Sequence, residues 1–133
     1  MPQGNRITSK FIINRAKDNA FVGSGLRDYR EYRDLGIDEA TYGAIKAHIV
    51  RTTRPCPPGG SGVHYHDLEF QMVYVLAGRS RVWFEGEGEF ELEKGDCWIQ
   101  PPSIRHHVLD FSEDYEVLEI TMPAQYDTVA VEG

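Results

Sequence analysis

Two histidines one residue apart, in the stretch HYHDLEFQMVYVLAG from His64 to Gly78, are the most distinctive chemical feature of the sequence. The stretch continues into an apolar run typical of a β-strand, and side chains at positions i and i+2 of a strand share one face. His64 and His66 would therefore point in the same direction. Two imidazoles on one face can bind one metal ion, although a pair of surface histidines is the commoner source of this pattern.

Three further histidines lie elsewhere in the sequence. His106 follows the Pro101-Pro102 turn in the segment GDCWIQPPSIRHHV. Its neighbour His107 would point to the opposite face of the same strand, which favours a surface or supporting role over metal binding. His48, in the predicted strand AIKAHIV, could line a cavity as a catalytic acid or base. It could equally be packed or exposed, because the strand register is not known from sequence.

The segments around these histidines predict an all-β fold. From residue 42 onward, short runs rich in β-branched and aromatic residues alternate with turns rich in Gly, Pro or acidic residues, and no run has a sustained helical period. EGEGE, at positions 85–89, is typical of a hairpin turn, and PCPPGGSG, at 55–62, predicts a long loop. Many short strands at near-regular spacing indicate a β-sandwich or a β-barrel.

The first 35 residues are harder to interpret. FIIN, at 11–14, has strand character, and LRDYREYRDLG, at 26–36, predicts either a helical turn or an irregular arm. Within it, YREYR (29–33) is most simply a solvated face, although a lid or a dimer contact would also fit. Because FIIN has no obvious partner in a barrel, we expect residues 1–41 to form an arm or strand that contributes to the barrel or to a homodimer. Residues 42–133 would form the barrel itself.

Composition and charge limit the possible partners. At 133 residues the chain has room for one domain, and its net charge of -7 disfavours nucleic-acid binding, which needs clustered Lys and Arg. No apolar segment reaches the roughly 20 residues of a membrane helix, and the N-terminus lacks the apolar core of a secretion signal. We therefore expect a cytoplasmic protein that binds a small molecule. Cys56 and Cys97 should then be free thiols, with Cys97 filling space in the core.

The spacing of the histidines resembles that of the cupin superfamily over about residues 42–122. Cupins carry a first motif, G-x5-H-x-H-x(3,4)-E-x6-G, and a second motif, G-x5-P-x-G-x2-H-x3-N. The matching positions are His64, His66 and Gly78 in the first motif, and Gly95, Pro101 and His106 in the second. Three turn positions depart from the motifs, namely Pro58, Ser103 and Asp110. The resemblance implies a cupin-type double-stranded β-helix, or jelly-roll barrel, with a metal inside its mouth.

One departure from the motifs changes the chemistry, because Gln71 stands where the first motif has glutamate. Glu69 is the alternative fourth ligand, but it follows His66 too closely for the motif spacing, and we favour Gln71. The ligand set implied is His64, His66, Gln71 and His106, holding one divalent transition metal ion such as Zn, Fe, Ni, Mn or Cu. Three neutral imidazoles and a neutral amide would leave the charge of the metal uncompensated, so the site should attract anions.

Three functions are compatible with this resemblance. The leading expectation is a metal-dependent enzyme acting on a small, anionic, metal-chelating organic molecule by Lewis-acid chemistry of the cyclase or isomerase kind. The ligand set resembles that of small aromatic polyketide cyclases, and His48 is the candidate acid or base. The alternatives are a non-haem iron dioxygenase and a non-catalytic module that binds a sugar or another metabolite.

Overall fold

The computed structural model describes residues 6–23 and 29–131, which fold into two antiparallel sheets. Helical structure in these residues is limited to a 3-10 turn at Ala16–Asp18 and one helical turn, α1, at Ile37–Ala40. The strands are β1 (Val22–Gly23), β2 (Arg30–Asp34), β3 (Lys46–Thr52), β4 (His64–Asp67), β5 (Phe70–Ala77), β6 (Arg79–Phe84), β7 (Gly88–Glu93), β8 (Cys97–Ile99), β9 (His106–Phe111), β10 (Glu116–Met122) and β11 (Asp127–Ala130). The all-β, jelly-roll prediction is confirmed.

The chain crosses repeatedly between the two sheets. The six-stranded sheet has the order β1-β2-β3-β10-β5-β8, and the five-stranded sheet has the order β11-β4-β9-β6-β7. Side chains from the facing sides of both sheets build the interior. The buried core cluster consists of Val50, Val73, Val75, Phe111, Tyr115 and Val117. The buried Ser80 hydroxyl donates to the hydroxyl oxygen of Tyr115 at 2.9 Å, so the hydroxyl groups of this pair are hydrogen-bonded.

Alternation along β5 illustrates how the sequence selects the inward face. Gln71, Val73 and Val75 are buried, whereas the intervening Met72 is half-buried and Tyr74 is exposed. A period of two is the pattern of a strand with one face packed on the interior. Gln71 is therefore a polar residue on an otherwise apolar inward face, and it is only 2% exposed.

The N-terminal region differs from what the sequence predicted. Residues Arg30–Asp34 form strand β2, which pairs with β3 and places Tyr32 opposite Val50. The predictions of a helical turn or irregular arm, and of a solvated face, are therefore wrong for Arg30–Asp34. Residue 29 lies in a turn before the strand, and positions 26–28 lie outside the described residues. Arg30 and Tyr32 are two residues apart and share one face of the strand, and pairing with β3 lets this face turn inward.

The FIIN segment does not form the strand that its composition favours. Phe11 is 87% exposed and Ile13 63% exposed, and neither belongs to a sheet. At Glu31 and Tyr32 the outer edge of β2 is paired with β1, at Val22–Gly23, and not with FIIN. Strand propensity produces a strand only where an edge can supply hydrogen bonds.

Other local predictions have mixed outcomes. The EGEGE turn lies between β6 and β7, as predicted. Cys56 and Cys97 are both free thiols, but Cys97 is exposed, so its predicted place in the core is wrong. On the short strand β8 the inward position belongs to Trp98, and Cys97 faces outward because neighbours alternate. Among the described residues, no helix has the length and apolar character to cross a membrane.

Candidate metal centre

Three of the predicted metal ligands lie together on the five-stranded sheet. His64 and His66 belong to β4 and His106 to β9, and the two strands pair at His64 and His106. One potential ligand atom from each ring lies within 4.8 Å of those of the other two. Nitrogens bound at about 2.1 Å around a tetrahedral ion would be roughly 3.4 Å apart, so a small side-chain adjustment would complete the site.

Hydrogen bonds orient all three imidazole rings. In each ring Nδ1 contacts an oxygen atom, in the pairs His64 with Gly62 O at 2.9 Å, His66 with Thr128 Oγ1 at 2.8 Å, and His106 with Ile104 O at 3.1 Å. A carbonyl oxygen can only accept, so Nδ1 of His64 and of His106 carries the hydrogen. Nε2 is then the nitrogen with the lone pair that a metal ion requires, and the donor set fits a transition metal.

His106 is held in the neutral form that binds metals. It is 4% exposed, and burial, reinforced by the neighbouring His64, lowers the pKa of His106 from 6.5 to about 3. Gln100 is buried beside it, with Nε2 at 3.3 Å from His106 Nδ1. The indole nitrogen of Trp98 donates to Gln100 Oε1 at 2.9 Å, which fixes the orientation of the amide.

The Pro- and Gly-rich loop at 55–62 leads directly into the metal-binding strand. Ser61 N donates to Val108 O at 2.9 Å, which ties the loop to β9. At Gly60 the backbone has φ of +67°, and a Cβ atom would lie 2.0 Å from the same carbonyl oxygen. Only glycine fits this contact. The absence of a side chain at Gly60 therefore lets the loop pack closely against β9, the strand that carries His106.

The facing wall of the interior carries a hydrogen-bonded row of three polar side chains. Glu119 lies on β10 between β3 and β5, directly opposite His48 and one diagonal step from Gln71. Glu119 Oε1 is 2.6 Å from His48 Nε2, and Glu119 Oε2 accepts from Gln71 Nε2 at 2.9 Å. One carboxylate therefore joins the candidate acid or base to the candidate fourth ligand.

Glu119 changes the charge balance that the sequence suggested. Burial disfavours its ionised form, but the hydrogen bond and charge of His48 outweigh burial and hold the pKa of Glu119 at about 2, below its usual 4.5. A carboxylate thus lies one hydrogen bond behind Gln71. The proposed ligand set is still neutral, but this nearby carboxylate, which was not identified from the sequence, would offset part of the charge of a bound metal ion.

Both walls face one cavity of about 670 Å³. Gln71 and the predicted histidines of the site, including His48, line it. Glu69 is exposed and does not line the cavity. His107 Nε2 instead hydrogen-bonds to Gly59 O at 2.7 Å.

Several cavity residues were not identified from the sequence. They are Arg30, Tyr32, Trp98, Gln100, Glu119 and Tyr126. The signal for Glu119 is a charge at an inward position of a strand, between Val117 and Thr121. This charge can be recognised as inward-facing only when the strand register is known. Residues 118 and 120 are also apolar, so from the sequence either face of YEVLEIT could be the buried one.

The chain belongs to the cupin superfamily. The model of the cupin domain family matches residues 56–121, a range that includes both groups of motif residues. His64, His66, Gln71, His106 and Glu119 all lie inside this range. No curated protein sequence matches the chain significantly.

Solved structures with the same fold are distant in sequence. KdgF from Halomonas sp. is 19% identical with a TM-score of 0.68, and the match covers 86% of this chain and 96% of that one. A His-to-Gln variant of Streptomyces PAC13 with uridine is 14% identical with a TM-score of 0.66, covering 92% of each chain. Hydroxypropylphosphonic acid epoxidase from S. wedmorenis is 13% identical with a TM-score of 0.67, covering 84% and 59%. Such identities establish the fold alone.

Proposed function

We propose that the protein is a metal-dependent enzyme that acts on a small, anionic, metal-chelating organic molecule without redox chemistry, in the manner of a cyclase or isomerase. One divalent transition metal ion would be held by His64, His66, Gln71 and His106. The observation that supports the proposal is the placement of a histidine cluster and the hydrogen-bonded His48–Glu119 pair on facing walls of one cavity.

Glu119 selects the atom that Gln71 offers to a metal. The amide nitrogen of Gln71 donates to the carboxylate, which leaves the carbonyl oxygen Oε1 as the donor atom for an ion. A divalent ion held by this set would supply Lewis-acid polarisation of a carbonyl or carboxylate oxygen of the ligand.

His48 is suited to move a proton. Its ring packs against Tyr32, with 5.3 Å between ring centroids, and its Nε2 is held by Glu119. A carboxylate beside an imidazole stabilises the imidazolium that forms when the ring accepts a proton. His48 would therefore take a proton from the bound ligand and return it at another atom, as cyclisation and isomerisation both require.

Tyr126 would provide a neutral hydrogen-bond donor at the same site. Its ring lies against His66, with 5.5 Å between centroids. Burial, together with the charge of Glu119, raises the pKa of Tyr126, so its hydroxyl stays protonated at physiological pH. A protonated phenol can donate to an oxygen of the ligand on which negative charge develops.

Proton exchange into a chelating probe tests this function. Pyruvate is a small, anionic α-keto acid, and deuterium entering its methyl group from D2O can be followed by NMR. We expect the metal-loaded protein to accelerate exchange, and His48→Gln to lose on the order of 100-fold of that acceleration while keeping its metal. His107→Gln is the matched control and should exchange like the parent, because His107 lies outside the cavity.

The alternative functions give different outcomes in the same experiment. Equal exchange in the parent and His48→Gln would contradict the proposed proton transfer. Oxygen uptake by the iron-loaded protein would indicate a dioxygenase. Ligand affinity that does not change when the metal is removed would indicate a non-catalytic binding module.

Assembly as a homodimer is part of the proposal. The apolar side chains of Phe11 and Ile13 are exposed on the N-terminal segment, and Tyr74 and Ile99 are exposed on neighbouring strands of the six-stranded sheet. A second copy of the chain would cover such apolar surface.

A further inference from the structure

The cavity contains two formally charged side chains besides its histidines, Glu119 and Arg30. Glu119 is satisfied by His48 and Gln71. Among the described residues no carboxylate forms a direct ion pair with Arg30, although the charge of Glu119 acts on it at longer range, and the guanidinium lies over the ring of Tyr29. A half-buried guanidinium with no carboxylate in contact favours binding of an anion, because desolvating a charge is costly unless it is paired.

The position of Arg30 is fixed by the core. The guanidinium carbon lies 5.4 Å from the centroid of the Tyr29 ring, and that ring stacks on Phe111 with 5.7 Å between centroids. Phe111 belongs to the buried core cluster. An arginine held over an aromatic ring in this way loses less conformational freedom when it binds an anion.

Arg30 lies well away from the acid–base pair along the sheet. It pairs in register with Thr52, whereas Glu119 pairs with His48. Thr52 and His48 are four residues apart on β3, which corresponds to roughly 13 Å at about 3.3 Å per residue. The backbone of Arg30 is therefore well separated from that of Glu119, although the charge of the Arg30 side chain still helps to lower the pKa of Glu119.

Arg30 also lies outside the part of the chain that the family has in common. The cupin model begins at residue 56, whereas Arg30 belongs to β2 near the N-terminus. The general metal-binding geometry of the superfamily therefore does not account for this residue.

We propose that Arg30 binds a second anionic group of the ligand, so that the substrate carries one oxyanion at the metal and another, a carboxylate or phosphate, at its far end. This inference rests on the proposed function, because the first anion is assigned to the metal. A guanidinium can bind a carboxylate or a phosphate through two parallel hydrogen bonds, and the cavity volume accommodates a molecule that reaches both groups.

Calorimetric titration with simple diacids tests the proposal on the full chain loaded with Zn²⁺. The probes are alkane dicarboxylates from malonate to suberate, each compared with the monocarboxylate of the same carbon number. We expect one intermediate length of dicarboxylate to bind about 10-fold or more tightly than its monocarboxylate partner, as an added charge-assisted hydrogen bond would provide. Phosphonoalkanoates of that length show whether Arg30 prefers phosphate to carboxylate.

Variants assign the effect to Arg30. Arg30→Met should bind the dicarboxylate and the monocarboxylate equally, and Arg30→Lys should keep part of the preference, because a lysine retains the charge but not the planar fork. Arg81→Met is the matched control, since Arg81 is exposed and pairs with Glu89 on the outside. It removes the same charge and should leave the preference unchanged. Zinc content and thermal melting of each variant verify folding.

Two results would overturn the inference. One is a parent protein that binds dicarboxylates and monocarboxylates of every length equally, and the other is a preference that survives undiminished in Arg30→Met. A failure of the proposed metal function would give a different result from a failure of the Arg30 proposal. In that case monocarboxylates would bind equally to the zinc-loaded and the metal-free protein.

Discussion

The two sheets line one cavity with different chemistry. The five-stranded sheet contributes three imidazoles, each oriented by its own hydrogen bond. The six-stranded sheet contributes a carboxylate between an imidazole and an amide, with an arginine farther along the same sheet. In the proposed function the first wall would supply three metal ligands, and the second would supply the fourth, Gln71, together with the groups that handle a proton and an anion. Substitutions on the two walls should therefore affect metal binding to different extents.

The largest expected effect breaks the histidine wall. Replacing His64 and His66 together by alanine should reduce bound metal from about one ion per chain to a small fraction of that, because one imidazole cannot hold the ion. Metal analysis of purified protein by mass spectrometry gives the measurement. His107→Ala should retain its metal. If His107→Ala lost its metal and His106→Ala did not, His107 and not His106 would face the cavity from β9.

The next effect breaks the proton-handling wall. Glu119→Gln should lower activity on the pyruvate probe on the order of 100-fold while leaving the three histidines in place, because His48 loses the carboxylate that stabilises its cation. Glu113→Gln removes a carboxylate from an exposed turn and is the matched control. An unchanged exchange rate in Glu119→Gln would mean that the pair has a structural role only.

The same carboxylate should make the stability of the metal-free protein sensitive to acid. Its pKa is lowered in the folded protein to about 2 from 4.5, so its contribution to stability is fully present above pH 4.5 and is lost as the pH falls towards 2. Across that window the free energy of unfolding of the parent should fall more steeply than that of Glu119→Gln. Urea titrations at a series of pH values measure both slopes, and parallel slopes would contradict the assigned ionisation.

A smaller effect is expected from a substitution at Gln71, which adds a second carboxylate to the wall that carries Glu119. Gln71→Glu places a second carboxylate within hydrogen-bond distance of Glu119, so the metal-free variant should be less stable than the parent unless one of the two binds a proton. A bound metal ion offsets this repulsion. We expect the loaded variant to hold its metal at least as well but to bind a chelating anion more weakly, by about 1 to 3 kcal/mol.

Calorimetry of both loaded proteins with oxalate compares their affinities at equal metal occupancy. Equal or tighter binding of oxalate by Gln71→Glu would mean that Gln71 does not face the metal.

The smallest effect concerns neither wall. Removing residues 1–20 deletes the exposed FIIN segment and should reduce dimer content while leaving metal content unchanged, because the metal ligands lie elsewhere in the chain. Light scattering at several protein concentrations measures the dimer fraction. The same fraction in both proteins would exclude a role for the segment in assembly.

The two walls also differ in how far the sequence could predict them. A strand period of two places His64 and His66 on one face, and the short strands with their turns predict the all-β class. The jelly-roll arrangement and the roles of His106 and Gln71 come from the resemblance to the two cupin motifs. The second wall depends on which strands become neighbours. Glu119 meets His48 across 71 positions of sequence, and Arg30 enters the cavity only because β2 adds to the edge of β3. No local pattern encodes these pairings.

Trp98 gives the protein an internal optical reporter. Its indole lines the cavity and donates to Gln100, which is buried beside the ring of His106, whereas the other tryptophan, Trp83, does not line the cavity. Ions with partly filled d shells, such as Cu²⁺ or Ni²⁺, quench nearby indole emission, and Zn²⁺ does not. Filling the site with different ions should therefore dim one of the two tryptophans selectively, and loading could be followed in real time without a label.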